Sequence, residues 1–275
     1  MLENYIVKKN ILSDKKLIDL KSFVNNFAYE KILIWKKKGL IAKNIKIKKE
    51  NLENTFYYYW KIAGKPRVYK NAKYYFYNKT IYNLITDKKI LKIVSNLLKS
   101  NEICLFGDFN IRFLFPKEKI NKTKWHQDFG SLKSLGEKEK NLIEPNTNVV
   151  TMWLPLTDIK KKSGALSVNT ISKYNKSVIK PGKKIWIPKK ISNKLKSKKI
   201  LLNKKDLLFF KFTTLHKSCK NLSDKTRWAI DIRFEDFSRS RYHISKKNGI
   251  ILKSKRYKKN SYLNFISKKG IKFQN

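Results

Sequence analysis

The sequence predicts a mainly β protein, a sandwich or barrel with helices packed on one of its sheets. Three observations predict it. Helical periodicity is confined to the first hundred residues, short strand-like runs follow at close spacing, and two of those runs alternate between polar and apolar side chains.

The elements follow in chain order. Residues 13–37, SDKKLIDLKSFVNNFAYEKILIWKK, place apolar side chains at 17, 20, 23, 24, 27 and 28, which is helical spacing, with Ser13 or Asp14 as the N-cap. Residues 86–100, TDKKILKIVSNLLKS, repeat the pattern, with Thr86 or Asp87 as cap and a stripe of Ile90, Ile93, Leu97 and Leu98. The texture then changes. In ICLFGDFNIRFLF, Asp108, Asn110 and Arg112 alternate with Phe109, Ile111 and Phe113. Further strands are expected at 148–156, 164–169, 184–188 and 206–212. In RWAIDIRFEDF (227–237), Arg227, Ala229, Asp231 and Arg233 alternate with Trp228, Ile230, Ile232 and Phe234. The apolar face of both alternating strands can meet the helices. The polar face then lines whatever site the fold contains.

Composition sets the outer bounds. A chain of 275 residues with 41% hydrophobic and 13% aromatic residues buries a sizeable core and fits one elaborated domain. No run approaches 18 apolar residues, so no membrane span is expected. The first residues hold no apolar segment of secretory length, and two cysteines do not make a disulfide framework, which together suit the cytoplasm. The net charge of +45 invites a nucleic-acid reading, yet only seven of the 65 basic residues are arginine. Lys, Asn and Ile are what A+T-rich codons supply, and nucleic-acid contacts draw on Arg for bidentate hydrogen bonding. The sequence therefore argues against a dedicated nucleic-acid surface. The charge is uneven, however: residues 159–205 hold sixteen lysines and no acid, a field that suits an anionic small molecule.

Of three histidines, one stands in TKWHQDFGS, two residues before an aspartate. In an extended strand, residues i and i+2 point to the same side, so His126 and Asp128 can converge. A second histidine, His216, ends the run KDLLFFKFTTLH, and Arg227 opens the next strand eleven residues later. Two imidazoles and one carboxylate form the facial triad of non-haem iron(II) oxygenases, which leaves coordination positions open for a 2-oxo acid and dioxygen. An arginine supplies the planar fork that a second carboxylate needs, which Lys does poorly. Asp108, Asn110 and Arg112 are candidates for co-substrate or substrate contacts; an internal ion-pair network with Asp231 and Arg233 is the competing reading of that polar face.

Four blocks, WHQDFG (125–130), WLPLTD (153–158), SGALSV (163–168) and HKSCKNLSDKTRWAIDIRF (216–234), stand in the order and at the spacing of the phytanoyl-CoA dioxygenase family. Over residues 87–236 the chain resembles that family of Fe(II)/2-oxoglutarate-dependent oxygenases. The resemblance implies a double-stranded β-helix, or jelly roll, with the N-terminal helices on its major sheet. It implies iron on His126, Asp128 and His216, with 2-oxoglutarate as co-substrate and dioxygen as oxidant. Arg227, assisted by Ser218, would hold the distal carboxylate of the co-substrate. The chain departs from the family at TISK (170–173), on the substrate side. The expected organisation is one oxygenase domain, 1–240, with helices over 1–100 and the jelly roll over 101–237, followed by a basic extension, 238–275. The expected activity is hydroxylation of a small or carrier-linked metabolite, anionic or carbohydrate-related. A catalytically silent jelly-roll binding protein and a basic nucleic-acid-binding protein are the alternatives.

Overall fold

A computed structural model describes residues 5–68, 78–106, 110–119, 123–131, 148–171, 186–239, 250–256 and 258–259. The polar stretch over 130–148, whose lack of periodicity suggests a mobile cover over the site, falls largely outside these residues, as does Asp108.

Four helices precede most of the strands: α1 (Asp14–Lys37), α2 (Leu52–Ile62), α3 (Lys79–Ile85) and α4 (Lys88–Leu98). Ser13 caps α1 by accepting the Lys16 amide at 3.3 Å, and Asp87 caps α4 by accepting the Lys89 and Ile90 amides at 2.8 and 3.0 Å. Leu17, Leu20, Val24, Phe27 and Ala28 are buried along α1, as the spacing predicts. On α4 the stripe is rotated from the one expected. Leu91 and Val94 are buried with Ile90 and Leu98, whereas Ile93 and Leu97 are only partly covered. The helix is apolar over a wide arc, and only its contacts decide which edge of that arc lies deepest.

The strands are β1 (Tyr5–Lys8), β2 (Ile103–Leu105), β3 (Asn110–Leu114), β4 (Val149–Pro155), β5 (Leu166–Asn169), β6 (Ser197–Ile200), β7 (Leu207–Lys211), β8 (His216–Ser218), β9 (Arg227–Asp236) and β10 (Ile250–Lys253), with a one-turn helix α5 (Lys189–Ser192) before β6. They form two antiparallel sheets. The larger runs β1-β7-β4-β9-β2-β10 with β3 also on β9, and the smaller runs β6-β5-β8. This is the jelly roll. The run 103–115 holds two strands, β2 and β3, which pair with successive parts of β9. The strand expected at 184–188 is only an isolated bridge at Trp186 where it is described, because Pro188 turns the chain into α5. Both edges of the larger sheet come from unexpected places. β1 lies in the stretch read as helical, and β10 lies in the stretch read as a basic extension.

Alternation along the central strands sorts side chains as the sequence predicts. Ile111, Phe113, Trp228, Ile230, Ile232 and Phe234 join the helices in one core, where Phe113 lies 6.0 Å from Phe27 and 4.9 Å from Phe56, ring centre to ring centre. Asn110, Arg112, Arg227, Ala229, Asp231 and Arg233 take the opposite face, toward the smaller sheet. There Trp153, Leu208, Phe210 and Ala229 pack against Leu166 and Val168 of β5. The space between the sheets thus has an apolar end and a charged end.

Candidate metal centre

His126 lies between β3 and β4 and is tied to β8 by a reciprocal pair of backbone bonds, each 3.0 Å: the His126 amide donates to the His216 carbonyl, and the reverse. In an antiparallel bridge, residues directly opposite point the same way, so the two imidazoles meet, with ring centres 4.2 Å apart. Asp128 is not in an extended strand, as the sequence reading assumed. It opens a 3₁₀ turn over Asp128–Ser131. The convergence survives because the intervening Gln127 turns the other way, donating to the Thr213 carbonyl at 2.6 Å, fully buried.

Donor atoms of His126, Asp128 and His216 lie within 4.8 Å of one another, and all three residues are buried. The Oδ1 of Asp128 faces both Nε2 atoms, at 3.7 Å from His126 and 3.8 Å from His216. Each imidazole donates from Nδ1 to a backbone carbonyl, His126 to Lys124 at 2.9 Å and His216 to Thr214 at 3.0 Å. Those bonds place the ring proton on Nδ1 and turn the Nε2 lone pairs inward, which is how metal-ligating imidazoles are held. Burial, and then the neighbouring His216, push the His126 imidazole down to about 3, so it is neutral and able to coordinate at ordinary pH. Burial alone raises the Asp128 carboxyl, but Arg233 and the two histidines outweigh it and hold the group well below the usual carboxylate range. Two imidazoles whose Nε2 atoms are turned inward and one carboxylate with convergent lone pairs fit a divalent first-row metal.

Two residues that sequence reading did not assign to the centre complete it. The far oxygen of Asp128, Oδ2, accepts from the Thr151 hydroxyl at 2.8 Å and from Arg233 Nε at 3.1 Å. Arg233 was legible as one of the polar residues of its alternating strand, whereas Thr151 had no signal beyond its place in β4. Trp186, 41% exposed, sets its ring against that of His126 at 5.5 Å, edge to face.

The remaining candidates lie on the same inner surface. Arg227, buried at the start of β9, donates from Nη1 to the Gly164 carbonyl at 2.6 Å, and its guanidinium stands 5.4 Å from the centre of the Trp153 ring. Ser218 shares a 2.8 Å hydrogen bond with the Thr123 hydroxyl. Asn110 lies opposite Asp231 in the β3–β9 register. Arg112 donates from Nε and Nη2 to Asp231 Oδ2, at 3.0 and 2.9 Å, so half of the ion-pair network foreseen for this face is present. Gly164 carries a left-handed φ of +74°, and a Cβ there would stand 2.5 Å from Leu114 Cδ2 and 3.2 Å from Asn221 Cβ. Gly164→Ala is expected to cost about 1–2 kcal/mol from the backbone alone, seen as a melting temperature several degrees lower. An unchanged melt would show that the turn relaxes freely.

A jelly roll that carries a His-x-Asp…His cluster between its sheets defines the class of Fe(II)/2-oxoglutarate-dependent oxygenases, whose chemistry uses iron(II), 2-oxoglutarate and dioxygen. Residues 60–229 match the sequence profile of the family described as phytanoyl-CoA dioxygenase (PhyH), and the chain belongs to that family. No curated protein matches the sequence. Among solved structures the fold is similar to EctD from S. alaskensis with 2-oxoglutarate and 5-hydroxyectoine, at 12% identity and a TM-score of 0.55, over 95% of this chain and 83% of that one. It is also similar to the non-haem α-ketoglutarate-dependent carbocyclase SnoK from nogalamycin biosynthesis, at 16% identity and a TM-score of 0.54, over 85% and 80% of the two chains. A third is AviO1 from Streptomyces viridochromogenes Tue57, at 13% identity and a TM-score of 0.51, over 85% and 90%. Among the described residues, no helix is long and apolar enough to cross a membrane.

Proposed function

We propose that this chain hydroxylates a small or carrier-linked anionic metabolite, with His126, Asp128 and His216 holding the iron and Arg227 holding the distal carboxylate of 2-oxoglutarate. The observation that carries this reading is the shared aim of three buried donor atoms, each fixed from behind by a hydrogen bond of its own side chain. When bound, iron and 2-oxoglutarate supply the oxidising power: dioxygen is consumed, 2-oxoglutarate leaves as succinate and carbon dioxide, and a substrate C–H becomes C–OH.

The residues of the chain do the rest. The two carbonyl-bound imidazoles stay oriented, with each Nε2 turned toward the Asp128 carboxylate. Arg227, its plane set by Gly164 and Trp153, offers a fixed fork where a flexible lysine would offer only a point charge. Ser218, opposite Leu166 in the β5–β8 register, is our candidate to add a hydroxyl to the same carboxylate. Phe210, whose ring centre is 4.7 Å from that of His216, and Trp153 keep the wall dry between them, which strengthens every charge contact inside. Asn110 and Arg112 reach the space from β3 and are our candidates for substrate contact. The sixteen lysines of 159–205, exposed at Lys161, Lys162, Lys198 and Lys199 among others, favour an anionic substrate such as a nucleotide sugar or a CoA ester. Two free cysteines, one buried, suit a reducing cytoplasm.

The test is anaerobic addition of 2-oxoglutarate to the Fe(II)-loaded chain, followed by oxygen and assay of succinate. A visible charge-transfer band and succinate release support the reading. Absence of both from folded protein sinks it. Coupling of succinate release to neutral analogues as efficiently as to anionic ones would sink the substrate class alone.

A further inference from the structure

Thr151 and Arg233 are 23 and 105 residues from Asp128 in sequence, yet they are direct cross-strand partners in the β4–β9 register. Their side chains therefore leave the sheet side by side, and both end on the same atom, Oδ2 of Asp128. The other oxygen, Oδ1, is the one turned to both imidazole Nε2 atoms. A carboxylate can bind a metal through one oxygen or two. With Oδ2 taken by a hydroxyl and a guanidinium, the division of labour between its oxygens is settled before a metal arrives.

We propose that Arg233 and Thr151 are positioning residues for the metal: they hold Asp128 to one donor oxygen, Oδ1, and the fixed charge of Arg233 favours the ferrous over the ferric ion. This inference rests on the proposed function. A carboxylate bound through one oxygen would leave more of the metal's face open to co-substrate and oxygen than one bound through both. The charge acts in a definite direction. A cation hydrogen-bonded to the ligand's far oxygen withdraws negative charge from the ligand and repels the trivalent ion more than the divalent one. Arg233 is well suited to that work, since a guanidinium does not lose its proton in proteins and its Nε stands 3.1 Å from Oδ2 of Asp128. It carries its charge at every pH the protein meets. Phe212, 6.0 Å from the guanidinium at its ring centre, fills space beside it.

The experiment uses the full chain and two readouts that do not need turnover. Mn(II) titration, followed by the resonance of free Mn(II), measures affinity; a mediated redox titration of bound iron, followed by the ferric signal, measures the Fe(III):Fe(II) equilibrium. Thr151→Val is expected to weaken Mn(II) binding about tenfold, and Thr151→Ser to restore it. Arg233→Met is expected to shift the iron equilibrium about tenfold or more toward ferric, as removal of one charge a few ångströms away does at an effective dielectric of about 20. Arg233→Lys should weaken Mn(II) binding, because its ammonium cannot reproduce the Nε geometry, while leaving the redox equilibrium near wild type. Should Arg233→Met fail to fold, Arg233→Gln, which keeps a hydrogen-bond donor without the charge, is read in the same redox titration with the same expected shift. An unmoved equilibrium there overturns the charge effect equally, and Arg233→Lys and the threonine pair decide the clamp. Wild-type Mn(II) affinity in both Thr151→Val and Arg233→Lys overturns the clamp; an unmoved equilibrium in Arg233→Met overturns the charge effect. Wild-type protein that binds neither metal takes the proposed function down and this inference with it, whereas variants that match a metal-binding wild type overturn this inference alone.

Discussion

His126→Ala is expected to abolish the 2-oxoglutarate charge-transfer band and succinate release while leaving the fold nearly intact. The backbone bonds that tie residue 126 to His216 involve no side chain, so the bridge stays. The loss is one imidazole of three metal donors. Metal affinity should fall by more than the roughly 100-fold that loss of a mere ligand-orienting partner costs. Asp128→Ala should abolish the same signals and also lower the melting temperature by several degrees. It removes the anion from Arg233, whose side chain is only 11% exposed, and breaking a pair this well covered from one side costs up to roughly 3–5 kcal/mol. The two variants therefore lose the metal alike and differ in stability. Calorimetry beside anaerobic absorbance would check both. A His126→Ala protein that keeps the charge-transfer band would remove that residue from the centre.

The sequence disclosed what local pattern can disclose. Alternation in 227–237 assigned Trp228, Ile230, Ile232 and Phe234 to the core and Arg227, Asp231 and Arg233 to the other face, because a strand's side chains have a fixed period of two. The order of the four motif blocks pointed to the family and to the jelly roll. What escaped depends on partners distant in the chain. Thr151 is an unremarkable residue in an apolar strand until the β4–β9 register sets it beside Arg233. β10, in a lysine-rich stretch without clear alternation, is a strand because β2 offers it an edge, and β1 is one because β7 does. Asp128 opens a 3₁₀ turn, and the strand rule reached the right convergence through the wrong backbone. The competing readings of Arg112 were separable only by a distance, and Asp231 takes both of its nearer nitrogens.

Arg227→Ala is expected to raise the dissociation constant of 2-oxoglutarate about 100-fold, and Arg227→Lys by an intermediate factor. The reasoning starts from what fixes the side chain. Nη1 is spent on the Gly164 carbonyl and the guanidinium lies against Trp153, so its plane is settled by β9, β4 and the turn before β5. Charge-assisted hydrogen bonds contribute about 1.5–3 kcal/mol each, and the loss of about 3 kcal/mol is roughly two orders of magnitude in affinity. Lysine restores the charge but not the fork, which places it between alanine and wild type. Mn(II) binding measured without 2-oxoglutarate should be unchanged in both variants, since Arg227 is held at Gly164 and Trp153, whereas the metal donors are held at Lys124, Thr214, Thr151 and Arg233. That separation is the decisive part. A variant that loses 2-oxoglutarate and keeps the metal assigns Arg227 to the co-substrate; one that loses both makes it a structural support of the inner face. Retention of wild-type 2-oxoglutarate affinity in Arg227→Ala would place the distal carboxylate elsewhere on the charged wall, with Arg112 the next basic side chain to replace.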